Sequence, residues 1–232
     1  PDTRTLAVGA LVILAPVTVV EATYAFAGPD SMESGGGPPG DWLVDASFSS
    51  EQLADGIEYV NDGENLTIDM HTDSVDDADD LNIVGVRVTL TYSEDETSAG
   101  IGCLASGGAS EADTITGFLS HSGFNGSESG QNQDAGPTSH DTEIVWYDAS
   151  LIGNVTGVSM ADIENGLNAN GAGLGAYSVE ISVDVSAGGA FQCTHEDNGE
   201  NVDYVIELIA LEYTVVEVKE EVVEVKAAVV EE

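Results

Sequence analysis

The residues that could do chemistry are few and far apart. Histidines stand at His71, His121, His140 and His195 with no ligand spacing between them. His195 follows Cys193 by two residues, a pairing too weak for a metal site and weaker for a nucleophile and its base. DSVDDADD (Asp73–Asp80) is acidic enough to attract Ca²⁺. An EF-hand, however, needs liganding oxygens at alternate positions and a glycine at the sixth. Here Asp76-Asp77 and Asp79-Asp80 are paired instead, which reads as a solvated acidic loop. GAGLGA (Gly171–Ala176) matches a dinucleotide fingerprint loosely, but it precedes a candidate strand where the fingerprint follows one. It reads as a flexible turn. No G-x-S-x-G elbow, P-loop, H-E-x-x-H or C-x-x-C occurs. The expectation is therefore no catalytic, cofactor-binding or metal-ligating residue, no cofactor, and no enzyme.

Two cysteines, Cys103 and Cys193, are expected at strand ends. A bridge between them would close a loop of roughly 90 residues and contribute on the order of 4 kcal/mol. Two separate thiols fit equally well in a chain made in the cytoplasm, and both states stay open. Three N-x-[ST] sequons begin at Asn65, Asn125 and Asn154. They would carry glycans in a secreted chain and mean nothing in one assembled in the cytoplasm.

Charge bounds the environment. The chain of 232 residues holds 43 Asp plus Glu against four basic residues, Arg4, Arg87, Lys219 and Lys226, for a net charge of −39. Such a charge destabilises a compact state by self-repulsion. The Debye length is about 8 Å in physiological salt and about 3 Å in molar salt, where most of that repulsion vanishes. Disorder would be the default for so much charge, but 42% hydrophobic residues and long Val/Ile/Leu runs argue for a core. This is a folded protein built for molar salt. Four cations cannot neutralise many phosphates, so direct nucleic acid binding is excluded as a function class.

The elements follow from periodicity. Residues 1–30 form an apolar N-terminal segment, with an uncharged stretch from Thr5 to Val20 interrupted by Pro16. Residues 6–20 read best as buried strands. A membrane helix is the alternative, though a span wants about 20 apolar residues, and Ala25-Phe26-Ala27 resembles a signal cleavage site. GPDSMESGGGPPG (Gly28–Gly40) is a linker. Residues 31–212 carry candidate strands at Asp41–Phe48, Leu66–His71, Ile83–Tyr92, Thr114–Leu119, Glu143–Tyr147, Tyr177–Val185 and from Val202 to about Val218. Ser120–Asp141 reads as a polar, turn-rich loop. One short helix is expected over Ser159–Leu167, capped by Ser159 with Asp162 in its first turn. Many short strands with Gly-rich turns predict an all-β jelly roll or β-sandwich.

Residues 213–232 end the chain with VVEVKEEVVEVKAAVVEE. Val215, Val218, Val222, Val225 and Val229 are spaced three and four apart, a heptad seam for a helical tail. Valine is a poor helix former, so such a helix would need a partner, and a strand that frays into a polar tail is the alternative. Lys219 and Lys226 lie one heptad apart with no Glu at i±3 or i±4, placed to meet carboxylates of a neighbouring chain. This points to an assembling protein.

A halophile-acidic chain with β-rich LAVGALVILAPVTVV at one end and VVEVKEEVVEVKAA at the other resembles the larger major capsid protein of the icosahedral, internal-membrane viruses of haloarchaea, the sphaerolipovirus group. The resemblance implies an upright single jelly roll with an additional β turret. It implies assembly with itself and a second, smaller capsid protein into capsomers over an internal membrane, hence a place in the virion. It carries no site residues, because no short motif matches. The alternative from another class is a haloarchaeal cell-surface or filament protein, anchored by its N-terminal run and presenting an Ig-like adhesive sandwich.

Overall fold

The structure, a computed structural model, describes residues 37–93, 97–99, 111–132, 136–186 and 194–218. Eleven strands are present among them: β1 (Gly40–Asn61), β2 (Asn65–His71), β3 (Ile83–Tyr92), β4 (Thr97–Ala99), β5 (Thr114–His121), β6 (Phe124–Gln131), β7 (Thr138–Val145), β8 (Gly153–Val158), β9 (Ala176–Asp184), β10 (Thr194–Glu196) and β11 (Gly199–Glu217). One α-helix, α1, spans Met160–Leu167.

Eight strands define the architecture. β1 pairs with β11, β2 with β9, β3 with β7 and β5 with β6, all antiparallel. First meets last, second meets seventh, third meets sixth, and the middle two form a hairpin. A ribbon nested in this way and rolled up so that β11 meets β3 and β9 meets β5 is a jelly roll. The result is a five-stranded sheet in the order β7-β3-β11-β1-β8 facing a four-stranded sheet in the order β2-β9-β5-β6. β4 and β10 form a separate two-stranded pair.

Alternation decides which face is buried. Val86, Val88 and Leu90 of β3, Val202, Ile206 and Leu208 of β11, and Val179, Ile181 and Val183 of β9 meet in the core between the sheets. A second apolar layer lies on the opposite face of the five-stranded sheet, where Ile163 and Leu167 of α1 pack with Val44, Val84, Ile209 and Leu211 and with Val155 of the edge strand β8. Ser159 caps α1 as expected: its Oγ accepts the Asp162 N–H at 3.2 Å and donates to the Asp162 carboxylate at 2.6 Å. Asn82 fixes the other end of the helix. Its amide donates to the carbonyls of Leu167 and Leu211, at 2.9 and 3.2 Å, and its carbonyl accepts the Ala169 N–H at 2.8 Å.

Three expectations are corrected. β1 runs 22 residues, well past Phe48, because pairing with β11 holds a stretch whose own alternation is weak. The polar segment Ser120–Asp141 is not a loop but contains β6 and the start of β7. Ser122 and Gly123, with φ of 45° and 92°, make a two-residue hairpin turn that drives β6 onto β5 although β6 has almost no apolar side chain. Val215, expected to open the heptad seam of a tail from residue 213, lies instead in β11, which continues to Glu217 and places it opposite Val44. Val215 packs on the second apolar layer, burial that a helical turn there would forfeit.

Candidate functional site

The residues singled out from sequence scatter over the molecule. Cys103, Cys193, Lys219, Val222, Val225, Lys226 and Val229 lie outside the described residues, as does the N-terminal segment. Val218 follows β11 and donates its N–H to the Asp41 carbonyl at 2.8 Å. Asn65 faces outward on β2 with its amide on the Glu180 carboxylate. Asn125 and Asn154 are exposed on β6 and β8. No helix among the described residues is long and apolar enough to cross a membrane.

GAGLGA is a turn with structural reasons for its glycines. Gly171 and Gly175 have φ of 78° and 117°. A Cβ on Gly173 would stand 2.5 Å from Ile83 Cβ and 2.6 Å from the Ile83 carbonyl. The turn is locked by His121, a buried strand-end residue. One ring nitrogen meets the Ala176 carbonyl at 2.9 Å and the other the Ala172 carbonyl at 2.7 Å. Both ring nitrogens thus face backbone carbonyls, which only accept. Burial pushes the Tyr177 hydroxyl upward, and it donates to the Gly173 carbonyl at 2.6 Å.

Tertiary structure assembles one carboxylate cluster that spacing did not reveal. Asp113 precedes β5, Asp197 follows β10 and Glu200 opens β11, and one carboxylate oxygen of each lies within 4.8 Å of the others. Asp113 and Glu200 are fully buried. Asn132, also buried, donates to Glu200 at 2.6 Å and to Asp113 at 3.2 Å, while its carbonyl accepts the Asp113 N–H at 2.6 Å. These oxygens could hold a hard divalent cation such as Ca²⁺. Asp113 and Glu200 are 87 positions apart in sequence, so nothing local marks them.

Arg87 is the only described Lys or Arg. It sits on the outer face of β3, across from Glu143 and Glu207. Its Nε and Nη2 donate to one Glu143 oxygen at 2.9 and 2.6 Å, and this bond, with the charges around it, raises the guanidinium further.

The exposed apolar residues gather in two places. Of eight large ones among the described residues, Leu43, Phe48, Ile57, Tyr59, Val216 and Val218 lie on β1 or at the end of β11. Leu43 and Val216 are direct cross-strand partners, 45% and 58% exposed, on the face opposite the Val44–Val215 pair. β8 pairs with β1 only over Gly40–Val44. From Asp45 to Asn61 the outer edge of β1 meets no other strand among the described residues. The other two, Phe118 and Phe124, flank a cavity on the four-stranded sheet.

No family model and no curated protein matches the chain. Among solved structures it is similar to TmCBM61 in complex with β-1,4-galactotriose, at 10% identity over 76% of this chain and 88% of that one, TM-score 0.26. It is similar to broad bean stain virus at 10% identity over 83% and 96% of the two chains, TM-score 0.28. It is also similar to the Gx strain of infectious bursal disease virus at 11% identity, covering 78% of this chain and 40% of that chain, TM-score 0.21. At TM-scores this low the likenesses carry no argument about function; the jelly roll rests on the strand pairing itself.

Proposed function

We propose that the chain is a structural subunit of an icosahedral virus capsid working in molar salt. One observation carries the reading: among the described residues, six of the eight exposed large apolar side chains sit on β1 and the end of β11, and Phe48, Ile57 and Tyr59 lie where β1 pairs with no described strand on its outer edge. Exposed apolar side chains along such an edge favour docking against another subunit. Carboxylates elsewhere keep such a building block soluble in brine. Its mechanism is interface burial, with no catalytic residue and no cofactor. The resemblance of the terminal segments to the haloarchaeal internal-membrane viruses supplies the finer reading. The subunit packs with itself and with a second, smaller capsid protein, beside an internal membrane and without contacting the genome. The Val222–Val229 seam, with Lys219 and Lys226, docks on a neighbour.

The test is the intact mass and sedimentation of native material in molar KCl. Particles of megadalton mass containing a smaller partner are expected. Leu43→Asp with Val216→Asp should leave the subunit folded and stop assembly, and Val218→Asp with Val225→Asp should do the same if the tail contributes. A monomer carrying glycan mass on Asn65, Asn125 or Asn154 would instead indicate the cell-surface module.

A further inference from the structure

We infer that the outer face of the four-stranded sheet is a binding site for a neutral saccharide. The register places Asp69 opposite Ser178, Ser178 opposite Ser120, and Ser120 opposite Asn125. Four polar residues thus form one row across all four strands, about 14 Å long at the usual strand spacing. Phe118 stands in the next row on the same face, while Phe124 pairs with buried His121 and turns to the other face. The Phe118 ring is 40% exposed and borders a cavity of about 340 Å³ that this row lines.

The site is rigid before anything binds. Phe124 packs on Trp146, Trp146 on His121 and His121 on Tyr177, with centroids 5.3, 5.3 and 3.9 Å apart. The Trp146 indole N–H is tied to the Ile83 carbonyl at 2.8 Å. Ser178 Oγ donates to Asp69 Oδ1 at 2.8 Å, which orients the carboxylate and leaves its second oxygen to accept. The Asn125 amide makes no hydrogen bond among the described residues. A preorganised aromatic face, backed from the other side of the sheet by this stack, beside oriented donors and acceptors limits the ordering cost of a ligand.

The chemistry selects the ligand class. The Phe118 ring accommodates the C–H face of a pyranose, while Asp69, Ser120 and Asn125 meet its hydroxyls. Anions find no Lys or Arg here among the described residues, since Arg87 lies on the other sheet. A cationic ligand would depend on Asp69 and on Glu180 across from Phe118, whose attraction molar salt screens to about 3 Å. Stacking and neutral hydrogen bonds survive that salt. The inference shares the high-salt reading but does not need the capsid.

The experiment is calorimetric titration, in molar KCl, of the full chain with intact mass showing no glycan at Asn125. Cellotriose, maltotriose, galactotriose and tetramethylammonium serve as probes. At least one neutral trisaccharide should bind, and Phe118→Ala and Asn125→Ala should each weaken it roughly tenfold, the scale of one lost aromatic contact or hydrogen bond. Phe48→Ala, on the other sheet, should leave binding unchanged. Because Asn125 is an exposed surface residue, its variant carries the test even if Phe118→Ala melts early. Binding of tetramethylammonium alone, binding by no trisaccharide, or binding indifferent to Asn125→Ala overturns the inference.

Discussion

His121 lies flat on Tyr177, with ring centroids 3.9 Å apart and planes 10° apart, and its two nitrogens tie down the carbonyls of Ala172 and Ala176. One side chain thus joins β5, β9 and the glycine turn. His121→Phe keeps the stack but removes the ring-nitrogen contacts to the Ala172 and Ala176 carbonyls, which belong to exposed residues that water can reach. At about 0.5–1.5 kcal/mol for a net hydrogen bond, a loss of about 1–2 kcal/mol is expected by chemical denaturation in molar KCl. A loss below about 1 kcal/mol would show that the turn holds itself.

The same turn predicts which glycine matters for packing. Gly173→Ala forces a methyl group against the backbone and Cβ of Ile83 and should destabilise by about 1–3 kcal/mol. Gly136→Ala meets nothing within 4 Å and should be close to neutral. Thermal melts of the two side by side decide the point, and equal melting temperatures would contradict it.

Acid should weaken the fold through His140. Burial holds its imidazole below the usual range, only partly offset by the Glu128 backbone and nearby carboxylates. Neutral Nδ1 accepts the Tyr92 hydroxyl at 3.0 Å. A depressed histidine stabilises above its unfolded pKa of about 6.5, and that stability is lost as pH falls below it. His140→Gln should flatten the stability profile between about pH 6.5 and 5, before most carboxylates titrate. An unchanged slope in the variant would remove His140 as the cause.

One local share of the salt dependence should sit at Arg87. The guanidinium bridges strands that carry Glu143, Asp141 and Glu207. Arg87→Gln leaves those carboxylates facing one another, so it should cost up to about 1 kcal/mol in dilute buffer and much less in molar KCl. Denaturation of both proteins across a KCl series measures the difference. A cost independent of salt would mean that Arg87 acts through packing.

Much of the β architecture was legible in IVGVRVTLTY and YSVEISVDVS, because period-two burial writes itself into residue type. Ser159 and Asp162 announced α1 for an equally local reason, a cap within one turn. β6 was illegible, since FNGSESGQ buries little and owes its strand to the neighbour the hairpin supplies. The candidate site was less legible still. Phe118, Asp69 and Asn125 lie on three strands with unremarkable local sequence, and only the register sets them side by side.

By itself the sequence determined a strongly acidic chain with an alternating core, because charge and side-chain period are properties of residues in order. Tertiary structure alone decided how far β1 and β11 run, which carboxylates meet at Asn132, and which apolar side chains stay outside. Those outcomes depend on strands distant in sequence finding one register, and register is set by the packing of the whole ribbon.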